Sequence, residues 1–132
     1  MSFEIAVQSA IYSALTGDAG LMALIEGVYD AVPETEVFPY VVIGEDTHAS
    51  YTTNTTLGKD VSCVIHTWSR DRGKKETKTI QGEIYDALNR SALTYTGHKI
   101  VSCEEESSDS FVDADGLTRH GVQSFRVLIE RV

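Results

Sequence analysis

Four histidines, His48, His66, His98 and His120, and two cysteines, Cys63 and Cys103, are the side chains of this 132-residue chain best suited to moving a proton or holding a metal. Their spacing assigns them neither task. No histidine stands three or four residues from another, and neither HExxH nor a Cys–His zinc pattern occurs. A histidine pair can still meet through neighbouring strands. Both cysteines lie in stretches of alternating apolar residues, without the exposed basic setting that activates a thiolate. They read as reduced and buried, with a strand-to-strand disulfide as the exception, since a disulfide framework in a small secreted domain uses more cysteines. Asp113-Ala114-Asp115-Gly116 looks like a fragment of a calcium loop, but Ser124 stands where the closing glutamate belongs, so the segment reads as a hairpin turn. There is no Gly-rich phosphate loop, no GxSxG elbow and no evident carboxylate pair. Triads do assemble from distant positions, so an enzyme stays open on spacing alone. No catalytic, cofactor-binding or metal-binding residue is assigned, and the expectation is a non-enzymatic structural subunit.

The elements that would position these groups follow from periodicity. Ser2 can cap a helix whose apolar residues Phe3, Val7, Ala10, Ile11, Ala14 and Leu15 recur at three- and four-residue spacing; Glu4 suits its dipole and Gly17 ends it. Asp18 can cap a second short helix through Leu21, Leu24 and Ile25, closed by Gly27, and Val28-Tyr29 reads as a short edge strand or turn. Pro39 opens a strand through Gly44. Residues 47–58, rich in Thr, Ser, Asn and Tyr, read as a flexible polar arm or hairpin. From Lys59 to Ser69, Val61, Cys63 and Ile65 share one face, and Ser62, Val64, His66 and Trp68 the other. After a turn at Arg70–Gly73 comes a helix with the stripe Thr77, Ile80, Ile84, Ala87 and Leu88; Gly97 then introduces a strand through Ile100, Val101 and Cys103. An acidic segment follows, and His120–Val132 closes the chain as a strand with Phe125, Val127 and Ile129 on one side. The order α, α, β, β, α, β, β predicts an α+β fold: a mostly antiparallel sheet with helices on one face, residues 1–132 forming a single domain.

The formal net charge of −9 argues against broad binding to nucleic-acid phosphates. The start carries no basic signal-peptide region and no apolar run reaches membrane-spanning length, so neither export nor bilayer insertion is expected. Two features stand out. Arg70, Arg72, Lys74, Lys75 and Lys78 crowd one turn and helix start, while Glu104, Glu105, Glu106, Asp109, Asp113 and Asp115 crowd another segment. These are either two solvated faces or the halves of a head-to-tail subunit interface. The other feature is the arm: Tyr51, Thr53, Asn54 and Thr56 have β propensity but little apolar payload, as in a mobile loop or a segment that orders on a partner.

The residues Pro39-Tyr40-Val41-Val42-Ile43, then Val64 to Gly73, the helix Ile80–Leu88 and the ending Asp113 to Val122 with Phe125-Arg126-Val127 form a characteristic set by their order and spacing. In this the chain resembles the tail completion (tail terminator) proteins of long-tailed phages and phage-derived gene transfer agents. The resemblance implies an α+β virion protein without catalytic residues or cofactors. It implies a hexameric ring of copies of the chain, capping a long non-contractile tail at its head-proximal end. The implied partners are the major tail tube protein, a head-closure or neck protein, and DNA that crosses the lumen without sequence-specific binding. No membrane is involved, and the implied location is the virion or phage-like particle, assembled in the bacterial cytoplasm. Another neck or tail-tube-like subunit of the same particle is the near alternative, and a small bacterial enzyme or ligand-binding domain the distant one.

Overall fold

The computed structural model describes residues 2–34 and 37–132. Helix α1 spans Phe3–Thr16, and the Ser2 hydroxyl accepts from the Ile5 amide at 3.1 Å, satisfying one of the amides that a helix start leaves unpaired. Gly17 follows it at φ −83°, so it is not there for a left-handed turn; a Cβ at that position would lie 2.9 Å from the Ser13 carbonyl oxygen. Helix α2, Ala19–Met22, is capped by Asp18 as expected, but it closes before Leu24 and Ile25. The reason is competition for the backbone: the Glu26 amide donates to the Pro39 carbonyl at 2.8 Å, and the Val41 amide to the Gly27 carbonyl at 3.1 Å. The strands are β1 (Val28–Tyr29), β2 (Tyr40–Ser50), β3 (Gly58–Ser69), β4 (Thr94–Tyr95), β5 (His98–Val112) and β6 (Arg119–Arg131), with helix α3 (Lys75–Leu88) between β3 and β4.

The sheet order is β1-β2-β3-β6-β5-β4; β1 runs parallel to β2 and the other pairs are antiparallel. Strand β6 is central, in continuous register with β3 from Gly58↔Glu130 to Ser69↔Arg119. The helices cover one face. There Val41, Ile65, Phe125, Val127 and Ile129 meet Ile11, Leu15, Leu21, Ile80, Ile84 and Leu88, all fully buried. The opposite face is bare of helices. The alternation read for β3 holds, with Val61, Cys63 and Ile65 inside and Ser62, Val64, His66 and Trp68 outside. Most of the acidic segment is the second half of β5, a strand despite its Glu, Asp and Ser content because β6 pairs with it down to Val112↔Arg119.

Cys63 and Cys103 are free and buried, and desolvation pushes both thiols up to about 12. The lost thiolate population, roughly a thousandfold for a rise of that size, predicts that neither cysteine reacts with a thiol reagent at pH 8 until the chain unfolds. Labelling followed by intact-mass measurement in rising urea checks this: modification tracks the unfolding transition, whereas rapid labelling of the native chain would contradict it.

Candidate functional site

The bare face of the sheet carries a row of aromatic side chains set by register. Tyr40 pairs with Trp68, Trp68 with His120, and His120 with Phe111, so one residue from each of β2, β3, β6 and β5 lies in line. The Trp68 and His120 rings stack at 3.7 Å between centroids and 14° between planes, and Phe111 meets His120 edge-on at 5.0 Å. Beside this row stands His66, opposite Val42 and Val122.

The histidines that sequence spacing kept apart meet here. His66 Nδ1 and His120 Nε2 are 2.7 Å apart, and on its other side His66 Nε2 is 2.5 Å from Glu45 Oε1. Glu45 reaches this place through a bulge: register slips between Ile43 and Asp46, inserting one extra residue opposite β3 and turning the Glu45 side chain onto the bare face. Gly44 makes room for the imidazole, since a Cβ there would lie 2.5 Å from His66 Cδ2. The hydrogen bond from His66 is the main cause holding the Glu45 carboxyl below its usual range. Burial, followed by the charge of His66, lowers the pKa of His120, against a weaker upward pull from Asp113 and Glu45. A cation bound in line by both nitrogens would need them about 4 Å apart, twice a metal–nitrogen bond. The pair is therefore built around a proton. Among the described residues no cluster of three His, Cys, Asp or Glu side chains converges as a metal site.

The structure divides the basic candidates. Arg70 is engaged within the fold, its guanidinium 4.5 Å over the Phe38 ring and its Nε 3.3 Å from Thr118 Oγ1. Arg72 is exposed, and Lys74, Lys75 and Lys78 are exposed together around one open depression at the start of α3, a helix with no side-chain cap. The acidic candidates split by face. Glu104 lies opposite Arg126 on the bare face, 3.5 Å from Arg90 Nε; Glu106, in a second bulge, accepts from Ser62 at 3.0 Å and lies 3.4 Å from Ser124. Glu105 turns inward, 3.3 Å from the buried amide of Gln123, while Asp109 is exposed opposite Val122. Lys74, Lys75 and Lys78 thus sit on the helix side and Glu104, Glu106 and Asp109 on the bare side. At the turn, Asp115 accepts from the Leu117 and Thr118 amides and the Thr118 hydroxyl, which hold its carboxyl down at about 2, and Gly116 takes φ +72°.

The polar arm is a hairpin. Pairing continues to Ser50↔Lys59, leaving 51–57 as its loop. Tyr51 and Asn54 are exposed; Thr53 closes the tip, its amide donating to the Thr56 carbonyl at 2.8 Å and its hydroxyl accepting from the Thr56 amide at 3.1 Å. The Glu45–His66–His120 chain had one signal in the sequence: His66 and His120 both occupy the non-core parity of their strands. The register that faces them, and the bulge that adds Glu45, had none. No helix among the described residues is long and apolar enough to cross a membrane.

Comparison with known proteins bears on the whole chain. The family model described as tail completion protein gp17 matches residues 9–130. Tail completion protein gp17 of Bacillus phage SPP1 is 26% identical over 124 residues, covering 94% of this chain and 92% of that protein. Among solved structures, a chain in the virion of a native gene transfer agent particle superposes with a TM-score of 0.90 at 27% identity, covering 98% of this chain and 99% of that one. The structure of the bacteriophage SPP1 gp17 protein gives a TM-score of 0.65 at 25% identity, covering 92% and 87%.

Proposed function

The chain belongs to the tail completion protein gp17 family, whose members are structural proteins of virions, and from that premise we propose that it is a tail terminator subunit. Copies of the chain form a ring, a hexamer by the family resemblance, at the head-proximal end of a long non-contractile tail. The ring stops tube polymerisation, offers the docking surface for the head and lets DNA through. The observation that carries this reading is the likeness, over almost the full length of both chains, to a chain from the virion of a native gene transfer agent particle. Residues 1–132 act in it as one domain. Its partners are other copies of itself, the major tail tube protein and a head-closure or neck protein.

Charge placement supports self-association of a particular kind. Three lysines on the helix side and three carboxylates on the bare side cannot neutralise one another within a protomer. A head-to-tail contact between copies brings them together, and such contacts close into rings when the rotation permits. Of the other candidates, Arg72 is exposed beside the lysines, Arg70 is occupied with Phe38 and Thr118, and Glu105 turns inward onto Gln123. The hairpin loop, with Tyr51 at its base and Thr53, Asn54 and Thr56 at its tip, is the segment offered to a neighbour. The acidic balance keeps passing phosphates from adhering.

Particles lacking this protein test the reading by negative-stain microscopy. Overlong tails without heads are the expected result; normal tails on full heads would refute termination. Normal-length tails without heads would favour the other reading, a head-closure subunit.

A further inference from the structure

We propose that Glu45, His66 and His120 form a proton-operated latch on the bare face of the sheet, one that ties β2 to β6 across β3 and opens when the histidine pair takes up a second proton. The geometry supplies each part. Glu45 holds one end from β2, His66 stands on β3, and His120 holds the other end from β6, at 2.5 and 2.7 Å. The two rings are 4.9 Å apart between centroids, a separation larger than the nitrogen contact by about one ring width, so the nitrogens face each other nearly in plane.

Protons decide whether that contact is a bond. With both rings neutral, His66 Nε2–H donates to Glu45 and His120 Nε2–H donates to His66 Nδ1. With one proton added, both His66 nitrogens donate, Nε2–H to Glu45 and Nδ1–H to His120 Nε2, and His120 keeps its proton on Nδ1. The chain of bonds survives, reversed at its centre, and the His66 charge is matched by Glu45. A second proton leaves two N–H groups facing each other between two like charges. His66 is pinned by Glu45, so His120 must leave, taking with it the stack on Trp68.

Among the described residues, the charges that act on His120 are those of His66, Asp113 and Glu45. Glu45 approaches from β2 and Asp113 from the β5–β6 turn, while Asp109 on β5 stands one pair further along, opposite Val122. The neighbours Trp68 and Phe111 are uncharged. The helices pack on the other face. Burial of His120 opposes the second proton in the folded chain, whereas an unfolded histidine accepts it near pH 6.5. The folded pKa of His120 is lowered, so the contribution to stability is present above that pH and falls away as the medium becomes acid.

The isolated soluble chain suffices for the test, so its outcome is independent of whether the protein ends a tail. Nitrogen-15 NMR of the histidine rings follows each protonation state from pH 8 to pH 4.5, and Trp68, the single tryptophan, reports on the stack by fluorescence. Expected is a coupled titration in two steps more than about one pH unit apart. The Trp68 emission changes only with the second step. In a His66→Asn variant His120 titrates in one step at higher pH, because the His66 charge that opposes its proton is gone. Two independent, uncoupled titrations in the wild-type chain, or a His120 titration unmoved by His66→Asn in a folded variant, would overturn the latch. A second step that leaves the Trp68 emission unchanged would overturn its opening.

Discussion

Phe125→Ala is expected to lower the free energy of unfolding by about 3–5 kcal/mol, a large part of the roughly 5–15 kcal/mol available to a domain of this size. Phe125 is fully buried on β6 and is the largest fully buried side chain among the described residues. Its backbone is paired on both sides, with Cys63 of β3 and Glu105 of β5, so the strands cannot close inward over the space the ring leaves. The cavity is bounded on the helix side by α1 and α3, whose inward residues Ile11, Ile80 and Ile84 are themselves completely buried. A site with so little freedom to collapse belongs at the costly end of core truncations. Equilibrium urea unfolding measures it: the midpoint falls while the denaturant slope stays that of the wild type. Leu117→Ala is the control, since Leu117 is 61% exposed and its loss is expected to shift stability by less than about 0.5 kcal/mol. A Phe125→Ala cost below about 1 kcal/mol would mean that the core is looser than its burial indicates.

The legibility of this fold in its sequence followed the contrast between its two faces. On β3 the buried series Val61, Cys63 and Ile65 alternates with half-exposed Ser62, Val64 and His66, and period two is plain because only one face is covered. The first helix was equally plain, with Ser2 at its start and a stripe at helical spacing. The acidic half of β5 gave no such contrast: Glu104, Glu106, Ser107, Ser108 and Asp109 are all exposed, so nothing in their hydropathy marks a strand. That segment is ordered by its partner. The Cys103 carbonyl and the Glu105 amide are further tied to Arg90 and Asn89 just past α3, contacts between positions far apart in sequence.

The histidine site was illegible for a related reason. His66 and His120 are 54 residues apart and Glu45 and His66 21 apart, and what unites them is register. A slip of one position between β3 and β6 would put His120 on the core side. The bulge at Gly44–Glu45 is likewise a property of the pairing, since the tetrapeptide Ile43-Gly44-Glu45-Asp46 does not itself announce an extra residue. The charge clusters stand between these cases. Their existence was readable, but only the fold shows that Arg70, exposed like the lysines, is occupied with Phe38 and Thr118.

Those lysines give the second large effect. The triple variant Lys74→Glu, Lys75→Glu, Lys78→Glu is expected to fold at least as stably as the wild type and to fail in assembly, with incorporation into particles down more than tenfold. Stability should hold because the three side chains are exposed at the first turn of α3, where positive charge opposes the helix dipole and negative charge suits it. Assembly should fail because, in the proposed head-to-tail contact, the reversed patch would meet Glu104, Glu106 and Asp109 of the neighbouring copy, and like charges set against each other across an interface cost several kcal/mol, where about 1.4 kcal/mol already removes a factor of ten. Two measurements suffice: the urea midpoint of the purified chain, and the amount of protein retained on purified particles. The reciprocal triple variant, with Glu104, Glu106 and Asp109 changed to lysine, should fail alone but restore mixed assembly with the first, which no general loss of solubility or folding would do. Wild-type incorporation of the lysine-to-glutamate variant would instead make the patch a solvated face and move the subunit contact elsewhere. A protein that is more stable yet cannot assemble has lost a partner contact, because misfolding would have lowered its stability.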